Sequence, residues 1–534
     1  MGRRGRPIAP SFTLLDESLR DGLQNPSVRQ PRLADKIELV HRMSDLGIHV
    51  VNVGIPGSSP RVYREALRLC REISNARLAI KPVCSGRTVP SDLEPILDLS
   101  QKAGIAIETY AFIGSSSIRR LVENWSIDLL ARRAATAIDL IVKAGLPAVF
   151  VTEDTTRSHP EVLTELFKVA VDHGATRLCL CDTAGHATPD GVRNLIGFTR
   201  ALLDSMGVTG VELDWHGHND RGLALTNCLY ALEYGADRVH ATALGMGERV
   251  GNVPMELLML NLRLLGQLEG HDLSRLSDYC ETAARAVGWQ VPISYPLVGR
   301  DAFRTATGVH ASAIMKAQAR GDSWLADRVY SSVPASLIGR GQEIVVGPGS
   351  GMSNVVHVLH RLGIEPMPDA VYAVLRVAKE ADQVLTDDEI RAAIAQAGRP
   401  HSETEMRVAA VCPPSEVAIS TRRRSEVPPA ALPARGRSPP RRRPPSSPRA
   451  PRPAPRGAER RALSGEYESG PMGDGLRLDQ ATSALARQSL YHPPEPAPGP
   501  VPSPKPGAAA AWGPFLAAAG RGGTRSTRRR ALRS

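Results

Sequence analysis

Between about residues 12 and 285, short apolar runs rich in β-branched residues alternate with longer stretches whose apolar positions recur at helical spacing. The extended runs begin with FTLLDESL at Phe12, HVVNVGI at His49, RLAIKPV at Arg77 and IAIETYAF at Ile105. They continue with PAVFVTE at Pro147, RLCLCDT at Arg177, VELDWHGH at Val211 and RVHATAL at Arg238. Strands separated by helices form a parallel sheet covered on both faces, and eight βα units can close into a (β/α)8 TIM barrel of about 250 residues. The expected fold class is therefore α/β, with a catalytic barrel over residues 8–285.

From Ala286 to Ala409 the pattern is mostly helical, and VYAVLRVAKEADQVLTDDEIRAAIAQA predicts two amphipathic helices in succession. This predicts a smaller helical subdomain over residues 286–409. The pattern then dissolves: ARGRSPPRRRPPSSPRAPRPAPRGAERR has too little apolar surface to offset its ordering entropy, so residues 410–534 are expected to be a disordered Pro/Arg-rich tail.

Charge changes the picture only through that tail. The net charge of +11 would raise the question of nucleic acid or anionic lipid. From Thr421 onward there are 22 Lys and Arg against 7 Asp and Glu, which leaves 44 against 48 in residues 1–420. The folded part is thus slightly acidic. The tail's bias to Arg, Pro, Ala and Gly is what a GC-rich reading frame yields out of register, and its aromatics are scattered rather than interleaved with basic residues. Nucleic-acid binding by the tail is not expected.

Seven widely spread cysteines (Cys70, Cys84, Cys179, Cys181, Cys228, Cys280 and Cys412) fit reduced core thiols better than a disulfide framework. Cys179 and Cys181 alternate on a predicted strand but have no second Cys or His pair nearby in sequence, so no structural zinc is expected. The basic N-terminus has no apolar stretch behind it, and no run approaches the roughly 18 apolar residues of a membrane span. These features predict a cytoplasmic protein.

Three segments concentrate chemistry at predicted strand ends. DESLRDGLQNP ends the first strand, where Arg20, Asp21 and Gln24 would project into the barrel mouth. WHGHNDRGLALTN ends the seventh, and its His216 and His218, two apart on a strand, share a face. With Asp21 from the first strand, close by across the closed barrel, they form a possible two-His, one-carboxylate metal site. GMGERVGN follows the eighth strand, and its Asn252 could support the metal shell. Taken singly, each segment has a bland reading as a turn, a polar strand end or a Gly-rich loop.

Together, LRDGLQ, HGHNDRGLALTN and GERVGN resemble, in order and spacing, the family of isopropylmalate, homocitrate and citramalate synthases and the related hydroxymethylglutaryl-CoA lyase, over roughly residues 10–395. The resemblance implies an acyltransferase that condenses acetyl-CoA with a 2-oxo acid, most like 2-isopropylmalate synthase. It implies a divalent cation, Mg2+, Mn2+ or Zn2+, held by Asp21, His216 and His218 with Asn252 at or near it, and a homodimer. It makes Arg20 the group facing the developing oxyanion and Glu153 an active-site carboxylate. Thr183, with Gln24, would bind the 2-oxo acid. His310 would be a catalytic histidine brought by the helical subdomain, with Tyr330 as its companion.

Two positions depart from the family pattern: Asn52 stands where a glutamate is usual, and Arg119 where a histidine is common. The Pro/Arg-rich tail also occupies the place of a regulatory domain, so leucine feedback is not expected. The rival reading is the lyase, which uses a cysteine in the loop after strand eight; here that loop offers Gly245, Met246 and Gly247.

Overall fold

A computed structural model describes residue 8 and residues 11–397 of the chain. The expected disordered tail, 410–534, and the last residues of the expected helical subdomain, 398–409, lie outside the described residues.

Eight parallel strands close into a barrel: β1 (Thr13–Asp16), β2 (Val50–Asn52), β3 (Lys81–Arg87), β4 (Glu108–Gly114), β5 (Ala148–Glu153), β6 (Arg177–Asp182), β7 (Glu212–Gly217) and β8 (Arg238–Ala241). Closure is visible in the register, since Leu15 of β1 lies beside Val50 of β2 on one side and His240 of β8 on the other. Helices follow each strand and form the outer ring, among them Leu33–Asp45, Pro60–Asn75, Ile127–Lys143 and Pro189–Ser205. Several open on a proline, whose missing N–H is one the helix could not have bonded, and Ser59, Ser126 and Thr188 cap with their hydroxyls.

Two strands lie further along the chain than their apolar runs predict. β3 begins only at Lys81 and continues through Ser85, Gly86 and Arg87, and β4 continues to Gly114. Pairing overrides local composition here: Ser85, Gly86 and Arg87 sit in register with Tyr110, Ala111 and Phe112. The shift carries Ser85 and Phe112 up into the barrel mouth.

Alternation divides each strand between two cores. Leu14, Val51, Ala111, Phe150, Leu178, Trp215 and Val239 face the helices, whereas Leu15, Val50, Val83, Tyr110, Val149, Val151, Cys179 and Cys181 form an inner cluster with Phe112. Beneath that cluster the barrel interior is charged. Arg177 Nη1 donates to Asp214 Oδ1 at 2.7 Å, the Tyr110 hydroxyl donates to Asp214 Oδ2 at 2.6 Å, and Arg238 reaches Tyr110 Oη at 2.6 Å and Glu108.

Beyond the barrel, the helix Leu276–Val287 packs on Leu33–Asp45, and the Tyr279 hydroxyl donates to buried Asp16 at 2.5 Å. The later helices include Gly308–Ala319, Met352–Arg361, Pro368–Glu380 and Asp387–Ala397; the last two fall on the two amphipathic stretches expected there. They gather around separate clusters, one on Ala311 and Ile314 and one on Val355, Leu359 and Val374. No helix among the described residues is long and apolar enough to cross a membrane.

Candidate active site

The C-terminal mouth of the barrel holds a cavity of about 280 Å3 lined by residues from all eight of its strands or the loops that follow them. A larger hollow of about 500 Å3 lies at the opposite end beside Phe12, Gly47, His49 and His271. Chemistry decides between them: all three groups of metal-capable side chains found among the described residues lie inside the barrel.

Two of these groups line the mouth and share His216: Asp21, His216 and His218, and Glu17, His216 and His240. In the second the carboxylate is already engaged by Arg20 Nε and Asn52 Nδ2, so the first is the candidate metal site. Each imidazole places Nε2 3.3 Å from the same Asp21 oxygen, Oδ2, and all three side chains are almost fully buried. His218 Nε2 is buried without a hydrogen-bond partner among the described residues, an unmet need that a bound cation would satisfy. Burial lowers the His216 pKa to about 4, with Asp21 opposing and His218 reinforcing the shift, so its ring is neutral and ligand-competent near pH 7. Burial opposes ionisation of Asp21, but Arg20 and the two imidazoles outweigh it and hold the carboxyl well below its ordinary range. One anionic oxygen ligand and two neutral nitrogens suit a borderline or hard divalent ion. The residues therefore fit the group expected from the sequence.

The loop after β8 closes over this cluster. The Glu248 N–H donates to Asp21 Oδ1 at 3.2 Å, and Asn252, paired through its backbone with His218, donates from Nδ2 to the Met246 carbonyl at 3.3 Å. Gly247 is required by close approach, because a Cβ there would collide with the Asn252 amide and lie 3.0 Å from Asp21 Oδ1. Leu244 and Arg249 hold φ of 56° and 53°, so the loop stores strain beside the cluster.

Arg20 lines the cavity with its guanidinium held between carboxylates: Nε donates to Glu17 Oε2 at 2.5 Å, and Nη1 lies 3.4 Å from Asp21 Oδ2 and 3.3 Å from Gln24 Oε1. Thr183 lines the rim, and its Oγ1 accepts from the Asp154 N–H at 2.8 Å, which leaves its own proton to donate inward. Glu153 also stands at the rim. Burial raises its pKa, while Arg119, 3.6 Å away, opposes the shift.

His310 and Tyr330 lie on the later helical segment, where their rings stack with centroids 3.9 Å apart. Neither lines the cavity. Of the sequence-predicted residues, the structure brings together Arg20, Asp21, Gln24, Glu153, Thr183, His216 and His218 around the cavity, sets Asn252 in the loop against Asp21, and leaves these two apart.

Sequence reasoning missed several lining residues. Glu17 and His240 face the same interior, with His240 Nδ1 3.4 Å from Glu17 Oε1 and Nε2 3.1 Å from Asp214 Oδ2. Ser85, Tyr110, Phe112, Val151, Cys179 and Cys181 complete the wall. The signal was present as parity: counting by twos back from His218 gives His216 and Asp214, and back from Thr183 gives Cys181 and Cys179.

Residues 11–282 match the model of the HMGL-like family, more than half of the chain. The chain belongs to the HMGL-like family. Among curated proteins it is 29% identical to a homocitrate synthase of Methanopyrus kandleri, over 70% of this chain and 89% of that one. It is 27% identical to a 2-isopropylmalate synthase of Pyrococcus furiosus, over 72% and 76% respectively. Among solved structures, an HMG-CoA lyase from Brucella melitensis matches with a TM-score of 0.44 at 23% identity, over 52% of this chain and 99% of that one. The part of this HMGL-like chain shared with both synthases extends well past the family match at residue 282, into the helices that follow the barrel.

Proposed function

We propose that this chain is an acyltransferase that condenses acetyl-CoA with a 2-oxo acid whose side chain is apolar, in the manner of a 2-isopropylmalate synthase. The observation that carries this reading is the division of one cavity into two halves. Asp21, His216 and His218 occupy the β1 and β7 side, and Phe112, Val151 and Cys181 the β4 to β6 side.

A divalent cation at Asp21, His216 and His218 would supply a Lewis acid that orients the 2-oxo acid and polarises its keto group. The Thr183 hydroxyl donates to the acceptor carboxylate. Arg20, charged at any working pH, faces the keto oxygen as it gains charge, with Glu17 and Asp21 against its guanidinium. A base takes a proton from the acetyl methyl group, the resulting enolate carbon bonds to the keto carbon, and the alkoxide takes up a proton. Water then cleaves the thioester and CoA leaves as its thiol. Within the cavity the raised pKa of Glu153 suits proton transfer at the rim. His310, with Tyr330, is the second candidate base, acting from the helical segment.

The apolar half selects the acceptor. Besides the histidines, Arg20 is the one cation among the described residues that line the cavity, and its charge is already answered by Glu17 and Asp21. A distal carboxylate such as that of 2-oxoglutarate would meet Phe112, Val151 and Cys181 without a counter-charge, at a desolvation cost the site does not offset. Release of CoA thiol should therefore be fastest with 2-oxoisovalerate in a panel that includes pyruvate and 2-oxoglutarate, with Mn2+ present. Thiol release with none of the three would overturn the condensation reading, and a preference for 2-oxoglutarate would overturn the apolar assignment.

A further inference from the structure

Glu17 is a buried cavity carboxylate to which the scheme above gives no step of its own. It is 2% exposed, and burial alone would keep it protonated, yet Arg20 and His240 outweigh burial and lower its pKa to about 2. Its backbone anchors the turn that carries the site: the Glu17 carbonyl accepts from the N–H groups of Arg20 and Gly22, each at 3.0 Å, and its own N–H donates to Ala241 of β8 at 2.8 Å. The side chain therefore starts from a fixed point.

Its two oxygens are used differently. Oε2 accepts the Nε proton of Arg20 at 2.5 Å, while Oε1 accepts from Asn52 Nδ2 at 3.3 Å and lies 3.4 Å from His240 Nδ1. Which end of Asn52 faces Glu17 follows from the network: its Oδ1 must accept the Gly54 N–H at 3.1 Å, so Nδ2 is the end turned toward Glu17 and Ser85 Oγ. Asn52 is wholly buried and thus presents a fixed donor. Gln24 and Asp21 hold Nη1 of Arg20, Glu17 holds Nε, and Nη2 has no partner among the described residues. Three of the guanidinium's directions are set by this chain, and the remaining edge is free for an anionic oxygen in the cavity.

We propose that Glu17, braced by Asn52, is a positioning residue that orients Arg20 toward the acceptor and has no part in holding the cation. The assignment rests on the reading that the cavity takes a 2-oxo acid. It separates two properties that a loosened barrel would lose together, affinity for the cation and affinity for the acceptor. The Glu17→Gln variant keeps the shape but removes the charge that fixes Nε. The Glu17→Asp variant keeps the buried charge and shortens the reach, which guards against loss of folding in the first.

Titration calorimetry of the full chain would measure Mn2+ binding, and then 2-oxoisovalerate binding at saturating Mn2+. Both variants are expected to bind Mn2+ as the wild type does and to bind 2-oxoisovalerate about 10- to 100-fold more weakly, the worth of one charge-assisted hydrogen bond. In an Arg20→Ala background the Glu17→Gln change should cost nothing further, because it acts through Arg20. Equal acceptor affinity in wild type and variants, parallel losses of Mn2+ and acceptor, or full additivity with Arg20→Ala would each overturn the assignment. If the wild type binds Mn2+ but none of pyruvate, 2-oxoisovalerate and 2-oxoglutarate, the 2-oxo acid reading falls and this one with it; equal affinities with a binding wild type remove only this one.

Discussion

His218 and His310 carry opposite expectations although both are histidines that the sequence assigns to the active site. The His218 Nε2 is buried 3.3 Å from Asp21 Oδ2 with no hydrogen-bond partner among the described residues, whereas His310 is partly exposed and stacked on Tyr330. Replacing His218 by Ala should abolish Mn2+ binding in calorimetry and with it turnover. The metal-free protein should stay folded, with a melting temperature lowered by the lost packing of one buried ring and not by a lost hydrogen bond, since the imidazole has no hydrogen-bond partner among the described residues. Replacing His310 by Ala should leave Mn2+ and 2-oxoisovalerate binding intact and, if the ring moves a proton during condensation, lower thiol release by roughly 10²- to 10⁴-fold. An unimpaired rate would assign proton transfer to Glu153 and return His310 to a packing role. Full activity of the His218 variant after exhaustive chelation would remove the metal site itself.

At the level of strands, the barrel's charged interior is a structural feature with its own consequence. Asp214 is wholly buried, where desolvation favours its neutral form, but Arg177 and Arg238 outweigh that and hold it well below the ordinary carboxylate range. A depressed pKa contributes stability above the unfolded-state value, near 4, which is lost as the pH falls below it. Asp214→Asn leaves two arginines facing an uncharged amide and should cost about 3–5 kcal/mol at pH 7. In urea unfolding, the gap between wild type and variant should narrow by about 1.4 kcal/mol for each pH unit below 4. A gap constant from pH 7 to pH 3 would show that the charge is not what Asp214 contributes. The same strands show how far the sequence could be read. Apolar runs located every strand, and the His-x-His parity on β7 pointed both rings inward, because alternation follows from the extended backbone alone. The upward shift of β3 and β4 was not legible, since Ser85, Gly86 and Arg87 have loop composition and become strand only through their pairing with β4. Glu17 was overlooked for a related reason: a carboxylate next to Asp16 in a polar run looks like surface, and only the closed barrel makes position 17 interior.

For the molecule as a whole, charge is distributed as if two different polypeptides had been joined. Residues 1–420 carry 44 basic against 48 acidic side chains, and the segment from Thr421 carries 22 against 7. Among the described residues, the mouth cavity draws on positions from Glu17 to Glu248 and the clusters of the later helices on positions from Ala311 to Ile394. The Pro- and Arg-rich composition after Thr421 provides no alternation or helical period from which a further packed core could form. A chain ending at Thr421 should therefore melt with the same enthalpy as the full chain, and its rate of CoA release should match within about twofold, the scatter of independent sites. Its isoelectric point should fall from about 9.5 to the acidic side of neutrality. Any affinity of the full chain for DNA should disappear with the tail and, before truncation, fall steeply between about 50 and 200 mM salt, because counterion release rather than a shaped surface would drive it. Loss of melting enthalpy on truncation would mean that the tail packs on the folded part. DNA binding that resists salt would mean that the arginines read more than phosphate charge.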